Sequence, residues 1–452
     1  MRSLLLPLVG IVTVSVLTVG ACGGTTDAAP ASSDAAAEAA PRYEAGSNNN
    51  VPYVRTTPLC VAAPYADAGV VTGPGFPDDD AGDEDGGATL GPPQLTSSGG
   101  PVLRDPRIVP ITYVGDTLAD QIEDFSGSIG CTDYWRQTTA EYGVNQAQML
   151  TPVRLTTEAP ATISDSTIRT FISGQINAKA TGFFNTSTEV LYVFYFPSTT
   201  TIELQGATSC SQSSQSFGGY HDSFVMPGGK QIAYAVVARC GGDDMDAVTA
   251  AATHELIEAT TDPYPLSATN SAYLNPDDAH IVYAFFGGGE AGDLCEFNRD
   301  ADYIPSDYPF TVQRTWSNRS ILAGHDPCVP APSTPFVAGI PDQPDNVGVQ
   351  YLGNGTTRGI SIPMGGTRTV DVHFHSDDPA TTTWTISAND ASKYLEGTTH
   401  LTLGLDSTTA HVGQVVHLSI TRDSAGAFGA EPFSIRSTVN GNTSSWYGVV
   451  GD

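Results

Sequence analysis

The residues best suited to chemistry lie near the centre of the chain, where His254 and Glu258 are four positions apart. An imidazole and a carboxylate can both bind a metal ion and both carry protons. On a helix, residues four apart share one face and lie one turn from each other. Glu255 lies one position round from that face. The spacing predicts a metal site with a second carboxylate beside it that can act as a base.

The sequence around these residues predicts the helix that must position them. Asp243 or Asp244 can cap its first turn, and Asp246 adds negative charge where the helix dipole favours it. Pro263 disfavours helical geometry at Asp262, so the helix is predicted to end there. Four strong helix formers lie between these ends: Ala247, Ala250, Ala251 and Ala252.

A hydrolytic zinc site needs three protein ligands, an open position for water and a carboxylate that takes the proton. Here His254 is the predicted first ligand, Glu258 the second ligand and Glu255 the general base. The third ligand must come from elsewhere in the chain. The candidates, in the order in which we favour them, are Asp293, His221, Asp262 and His325.

Each candidate also has an ordinary structural role. Asp293 lies in a loop that a disulfide would hold rigid, but an aspartate there is also common as a turn or cap residue. Asp262 lies two turns beyond His254 on the same helix face. Lone histidines such as His221 and His325 more often make ordinary hydrogen bonds.

Other interpretations of the histidines and of the motif stay open. An i, i+4 His–Glu pair can be only a helix-surface contact. His373 and His375 share one strand face and could bind metal, although the alternation there predicts an exposed polar face. The sequence contains no Gly-x-Ser-x-Gly elbow for Ser-His-Asp catalysis.

The segment His254-Glu-Leu-Ile-Glu-Ala-Thr-Thr-Asp-Pro263 resembles the HExxE-A-x-T-[DN]-P segment of secreted bacterial zincin-like proteins. More distantly it resembles the plant phosphate-induced (exordium-like) family. Gly292 to Cys295, Gly219 to His221 and the helix that carries Trp135 are also similar. The resemblance covers about residues 105 to 328 and implies a zincin-like domain, but it does not supply a reaction.

One position departs from the zinc-peptidase HExxH helix, because Glu258 stands where the second histidine would be. One imidazole with two carboxylates is a harder and weaker zinc site than one with two imidazoles. Such a ligand set also suits manganese or calcium. Zinc is therefore the first expectation for the cofactor, with another divalent metal as the alternative.

The charge of the chain excludes some partners. The 452 residues carry 49 acidic and 19 basic side chains, for a formal net charge of −30. Nucleic-acid phosphates would repel such a chain, so no nucleic-acid partner is expected. We expect a monomer.

The N-terminus predicts export and a lipid anchor. Met1-Arg2 is a short basic region, Leu4 to Thr18 is apolar, and Val19-Gly-Ala-Cys22 is a small-residue cleavage site. Residues 1–22 resemble a bacterial lipoprotein signal peptide whose Cys22 is lipidated. The expected location is the extracytoplasmic side of the envelope, at the outer membrane or the cell surface. An ordinary signal peptide or an N-terminal membrane helix is the alternative, although the apolar run is short for a span.

Six cysteines remain after Cys22, and an even number in an exported chain predicts disulfides. Six cysteines allow fifteen connectivities. From local order we expect Cys210 to pair with Cys240 and Cys295 with Cys328; Cys60 would then pair with Cys131 and pin the linker to the domain.

Composition divides the chain into four further parts. Residues 23–103 are rich in Ala, Ser, Asp, Gly and Pro and are predicted to be a disordered acidic tether, in which the run 78–86 lacks the spacing of a calcium loop. Residues 104–330 alternate strands and helices, which predicts an α/β (α+β) domain. Residues 331–336 are a predicted linker, and 337–452 a predicted immunoglobulin-like β-sandwich because short strands recur there.

The predicted elements of the α/β domain are strands at 107–114, 190–196, 231–238, 281–286 and 310–316, and helices at 117–142, 165–180 and 243–262. Those of the sandwich are strands at 359–362, 367–375, 383–387, 400–405, 415–421 and 433–439.

Three functional hypotheses follow. The first is a membrane-tethered zincin-like metallohydrolase, most simply a peptidase acting on peptide or protein substrates. The second is a non-catalytic surface lipoprotein, a degenerate zincin with a β-sandwich, used for adhesion or envelope binding. The third is a calcium-stabilised binding module, suggested only by the acidic balance of the chain.

Overall fold

The structure is a computed structural model that describes residues 59–60, 90–184, 189–211, 216–267, 269–286, 288–298, 300–351, 354–381 and 383–452. The predicted signal peptide with Cys22 and the acidic run 78–86 lie outside these residues. In the part of the chain that is described, no helix is both long and apolar enough to cross a membrane.

Helices and strands alternate in the first part of the described chain. In chain order they are β1 (Leu95–Thr96), β2 (Arg107–Thr112), α1 (Ala119–Ser128), α2 (Asp133–Thr139), β3 (Gln148–Met149), β4 (Val153–Arg154), β5 (Thr162–Ser164), α3 (Asp165–Asn177), β6 (Val190–Phe196), β7 (Thr201–Leu204), β8 (Ala207–Ser209), β9 (Ser216–Phe217), β10 (Gly219–Val225), β11 (Gln231–Ala238) and α4 (Met245–Thr261). Short 3-10 helices follow α1 and α2 at Ile129–Cys131 and Ala140–Tyr142.

Short elements follow α4: β12 (Asn275–Pro276), a 3-10 helix (Asp278–Phe286), α5 (Asp293–Glu296), β13 (Asp302–Tyr303), β14 (Val312–Gln313), β15 (Thr315–Trp316), α6 (Asn318–Leu322) and β16 (Cys328–Val329). The predicted helices and the strands before α4 are confirmed, as are strands within 310–316. The strand predicted at 281–286 is wrong, because that apolar segment forms the 3-10 helix. A short apolar run does not by itself distinguish a strand from a helix.

The central sheet has the strand order β10-β11-β6-β2-β3, and β4 also pairs with β2. Strand β10 is antiparallel to β11, and the other pairs are parallel. Every residue of β6 is buried, and its side chains alternate between two apolar clusters, one on each face of the sheet. The face that carries Leu191 packs against α4, and the face that carries Tyr192 packs against α3. Cover on both faces explains why β6 is apolar throughout.

The last part of the described chain is mostly strands. They are β17 (Val337–Pro341), β18 (Asp345–Gln350), β19 (Asn354–Ser361), β20 (Thr367–Ser376), β21 (Trp384–Asp390), α7 (Ser392–Glu396), β22 (Leu401–Leu405), β23 (Thr409–Ala410), β24 (Val415–Arg422), β25 (Glu431–Val439) and β26 (Asn442–Gly451). Two sheets, β17-β20-β24-β22 and β18-β19-β26-β25-β21-β23, share one apolar core. The arrangement is sandwich-like, and all six strands predicted there are confirmed.

The exposed face predicted for β20 is only partly correct. His373 lies 3.2 Å from Asp342 Oδ1 and is partly exposed, but His375 is buried and its Nε2 donates to the carbonyl of Gly324. The loop before β16 covers this end of β20, so the residue is not solvated. The two histidines have different partners and do not form a metal site together.

The structured part begins before residue 104, so the predicted extent of the tether is corrected. Strand β1 pairs with β12, and the amide of the buried Leu103 donates to the carbonyl of Thr260 at the end of α4. The three predicted disulfides, Cys60–Cys131, Cys210–Cys240 and Cys295–Cys328, are all present. They indicate folding in an oxidising, extracytoplasmic compartment.

The 3-10 helix Asp278–Phe286 joins the α/β part to the sandwich. The ring of Phe285 stacks on Phe428 at 4.6 Å, and that of Phe286 stacks on Tyr447 at 4.3 Å. Tyr283 also packs edge-on against Tyr447. One apolar cluster therefore extends across both parts of the chain.

We expect Phe285→Ala to lower the free energy of unfolding by about 3 kcal/mol, because it removes a buried ring and leaves a cavity between the two parts. Phe184→Ala is the matched control, since Phe184 is 36% exposed, and should cost about 0.5 kcal/mol or less. Urea unfolding followed by tryptophan fluorescence measures both changes. Equal losses in the two variants would contradict the role given to Phe285.

Candidate metal centre

Helix α4 brings the predicted site residues into the interior. Strand β11 leads to its N-terminus, where the Asp244 side chain accepts a hydrogen bond from the amide of Asp246. From Val248 to Thr261 every residue is buried. Buried threonine hydroxyls of this helix, such as that of Thr253, donate to carbonyls one turn back, so they need no other partner. The predicted helix is confirmed.

His254, Glu258 and Asp293 form one group of potential metal ligands whose ligand atoms lie within 4.8 Å of one another. His254 Nε2 lies 3.2 Å from Glu258 Oε2 and 3.7 Å from Asp293 Oδ1. Asp293 is the first residue of α5 and is buried. The structure thus brings the favoured third ligand to the predicted first two.

Gln313 fixes the His254 ring. Its Nε2 donates to the carbonyl of Gly292, so its Oε1 faces His254 Nδ1, 3.2 Å away. Because an amide oxygen can only accept, Nδ1 carries the hydrogen and Nε2 presents a lone pair to the group. The Gln313 backbone is itself held, since its amide donates to the Thr253 hydroxyl and its carbonyl accepts from Tyr134.

Hydrogen bonds to Oε1 orient the Glu258 side chain. Its Oε1 accepts hydrogen bonds from the amides of Gly292 and Asp293, at 3.1 and 3.0 Å, which leaves Oε2 directed at His254. Burial disfavours the charged carboxylate, but the positive charges that His254 and His221 carry when they are protonated hold the pKa of Glu258 below its usual value.

His221, Glu255 and Glu258 form a second group of potential ligands. His221 comes from the edge strand β10, and its Nδ1 lies 3.6 Å from Glu255 Oε2 and 3.7 Å from Glu258 Oε2. Its Nε2 lies 3.1 Å from the carbonyl oxygen of Asp262 and 3.4 Å from Glu290 Oε1. Glu258 therefore belongs to both groups, and each group contains one histidine.

Burial and charge shift the titration of this cluster. Burial opposes protonation of His221, but the neighbouring Glu290, Glu255 and Glu258 raise its pKa well above the usual value. Burial also raises the pKa of Glu255, and that of Glu290 strongly. Burial penalises a charged carboxyl, whereas the histidines favour it, so the cluster titrates as a unit.

The other predicted ligands are not part of these groups. Asp262 ends α4, and its Oδ1 accepts from the amide of Ala272, so it shapes the loop that follows; burial raises its pKa to about 6. His325 lies elsewhere, with its Nδ1 3.0 Å from Asp377 Oδ2. Among the described residues, neither ligand group includes Asp262 or His325.

Sequence reasoning missed three polar residues of the site. Gln313 and Glu290 contact the two histidines, and Glu296 lies one turn after Asp293 in α5. Burial raises the pKa of Glu296 to about 8. Glu290 and Glu296 flank Asp293 by three residues on each side, which was the available signal; Gln313 had none.

Two glycines let backbone approach the carboxylates. A Cβ at Gly292 would lie 2.7 Å from His254 Nδ1 and 2.8 Å from Glu258 Oε1. A Cβ at Gly219 would lie 2.5 Å from Glu255 Oε1. Real Cβ atoms do not approach polar atoms this closely, so any larger residue would displace the ligands.

The donor atoms fit a divalent metal. The buried atoms of the site that make no hydrogen bond within the described residues include His254 Nε2, Glu255 Oε2 and Glu258 Oε2. Buried polar atoms without a partner are unfavourable and call for an explanation, such as an ion. One imidazole nitrogen with carboxylate oxygens suits zinc or manganese.

Comparisons with known proteins add no family. No protein-family model and no curated protein matches the chain. Among solved structures, it is similar to domains 4 and 5 of the S-layer protein SbsC, with 13% identity over 25% of this chain and 53% of that one, at a TM-score of 0.16. It is also similar to titin M4, with 11% identity over 26% of this chain and 93% of that one, at a TM-score of 0.15. The chain spans about half the length of the SbsC fragment, and TM-scores this low carry no functional meaning.

We expect Gly292→Ala to lower the free energy of unfolding by about 1–3 kcal/mol, because the added methyl group displaces His254 and Glu258. Gly174→Ala in α3 is the matched control, since its Cβ would meet nothing within 4 Å and alanine favours the helix. Denaturant unfolding of both variants in the presence of a chelator checks this. A Gly292→Ala protein as stable as the control would refute the close packing described here.

Proposed function

We propose that the protein is an extracytoplasmic metal-dependent hydrolase, most simply a peptidase, with a divalent cation held by His254, Glu258 and Asp293. One observation carries the proposal. The His254 ring is fixed by Gln313 so that its unpartnered Nε2 faces two carboxylates within 3.7 Å. This is the arrangement of a metal-binding imidazole whose second nitrogen is held by an outer partner.

The cation supplies Lewis acidity, which makes water more acidic and polarises a substrate carbonyl. Glu255 acts as the general base and takes the proton of the attacking water on Oε2, which makes no hydrogen bond in the structure. Burial raises the pKa of Glu255, which suits a group that must take up a proton near neutral pH and release it to a leaving amine. Gly219 keeps the edge strand β10 close to this carboxylate.

In this proposal the region from β1 to β16 is a zincin-like domain, and residues 337–452 are an immunoglobulin-like sandwich. The buried HExxE helix beneath a parallel sheet with one antiparallel edge strand supports the first. Two sheets around one core support the second. The disulfides support export, and the N-terminal sequence supports lipidation at Cys22, which lies outside the described residues.

One observation favours the second candidate function, a non-catalytic surface lipoprotein. His254 and Glu258 are 0% exposed, and the loop that carries Asp293 is covered on one side by the sandwich. A cation so enclosed can stabilise the fold without reaching a substrate. In that case the metal would be structural, and the sandwich would supply the adhesive or envelope-binding surface.

The two functions are separated by one set of variants of the purified full-length chain, loaded with one equivalent of zinc. We expect the unmodified protein to cleave an unfolded protein substrate. Glu255→Gln should keep the zinc but lose activity by about 100-fold or more, because the base is removed. His254→Ala should bind zinc more weakly and lose activity, because a ligand is removed.

Zinc content by mass spectrometry and cleavage by gel assay are the measurements. Glu203→Gln on the exposed side of β7 is the matched control and should change neither. Bound zinc without cleavage would support the structural role and overturn the enzyme. A chain that binds no zinc would overturn both the hydrolase and the structural-metal reading.

A further inference from the structure

The second ligand group has its own oriented histidine. His221 Nε2 lies 3.1 Å from the carbonyl oxygen of Asp262, which can only accept, so Nε2 carries the hydrogen. The other nitrogen, Nδ1, faces Glu255 Oε2 and Glu258 Oε2, at 3.6 and 3.7 Å, and presents its lone pair to them once a metal ion has displaced its proton. Glu290 Oε1 lies 3.4 Å from the same Nε2 without a hydrogen bond to it, so among the described residues the Asp262 carbonyl alone fixes this nitrogen.

The atoms that face one another in this group lack partners. Glu255 Oε2 and Glu258 Oε2 make no hydrogen bond within the described residues, and both side chains are at least nine-tenths buried. The distances from His221 Nδ1 are too long for hydrogen bonds. An imidazole nitrogen and two carboxylate oxygens that converge in this way form a ligand set that a cation would complete by displacing the proton of the imidazole.

The charge of the cluster points the same way. Five buried carboxyl groups surround two histidines: Glu255, Glu258, Asp262, Glu290 and Asp293. No lysine or arginine of the described residues forms an ion pair with Glu255, Glu258, Asp262 or Glu290. Histidines that bind a metal ion are neutral, so the bound cations must supply the counter-charges of these buried carboxylates, and one divalent cation does not balance them. A second one improves the balance.

From these contacts we infer that the protein has a second divalent-cation site, formed by His221, Glu255 and Glu258, in which Glu258 bridges to the first site. The inference rests on the proposed function in one respect: the second site contains Glu255, the general base. A cation bound there occupies the oxygen that must accept the proton. Filling the second site therefore inhibits the hydrolase, and excess metal acts as a regulator.

We expect the second site to bind metal more weakly than the first, for two reasons. Glu258 is shared with the first site. In addition, no backbone amide among the described residues donates to the other oxygen of Glu255, whereas two amides donate to Glu258 Oε1. The full-length chain should take up one equivalent of Zn²⁺ at low concentration and a second at higher concentration. Activity should rise with the first and fall with the second.

The experiment titrates the metal-free full-length chain with Zn²⁺ by equilibrium dialysis and measures bound metal and peptidase activity at each point. The unmodified protein should reach two equivalents. His221→Ala should stop at one equivalent and lose the inhibition at excess Zn²⁺. His411→Ala is the matched control, since His411 is exposed, and should still reach two.

A second variant guards against misfolding of the first. His221→Gln keeps a side-chain donor for the Asp262 carbonyl and should also stop at one equivalent, with a melting temperature near that of the unmodified protein. One equivalent in the unmodified protein, with activity, overturns the second site and leaves the hydrolase intact. Two equivalents that fall to one in both His221 variants, without any cleavage, support the second site and overturn the hydrolase. Two equivalents in the His221 variants overturn the site.

Discussion

The structure depends on the burial of one carboxylate, that of Glu258, between two histidines. Burying a carboxylate is costly unless hydrogen bonds and opposite charges surround it. One oxygen accepts two backbone amides from the start of α5, and the other faces His254 and His221. The surrounding architecture supplies these partners: a buried helix, an edge strand and a loop that ends in a disulfide. The helix carries His254, the edge strand carries His221, and the loop carries the two amides.

Several features elsewhere follow from that burial. Gly292 must be a glycine because a Cβ at this position would lie 2.7 Å from His254 Nδ1 and 2.8 Å from Glu258 Oε1. The Cys295–Cys328 disulfide ties α5 to β16, and so holds the amides that bind Glu258. Gln313 spans from His254 to the Gly292 carbonyl, so it links the helix to the same loop. These contacts orient the side chains of His254 and Glu258 through the protein itself, which is what a preorganised ligand site requires.

The sequence predicted what local patterns determine. The ends of α4 followed from a capping aspartate and a proline, and β6 from an apolar run. The disulfide pairs followed from local order. Contacts between distant segments were less accessible: Gln313 is fifty-nine residues from His254, and nothing in its neighbourhood marks it as a partner. The strand prediction at 281–286 was wrong for another reason. The aromatic residues of this segment pack against the sandwich and do not pair with a neighbouring strand.

The same 3-10 helix makes the sandwich part of the site's environment. Its rings stack on Phe428 and Tyr447, and the chain that follows it carries Glu290 and Asp293 within ten residues. A cavity of about 60 Å³ lies between the two parts, lined by Asp293 together with Phe286 and Tyr447. A ligand that entered there would contact a predicted metal ligand on one wall and the sandwich on the other. The aromatic stacks connect the two walls. A shift of the sandwich would therefore change the shape of this cavity and move the Asp293 loop with it. The sandwich thus packs against the segment that leads to Asp293, and it forms one wall of the cavity beside this candidate metal ligand.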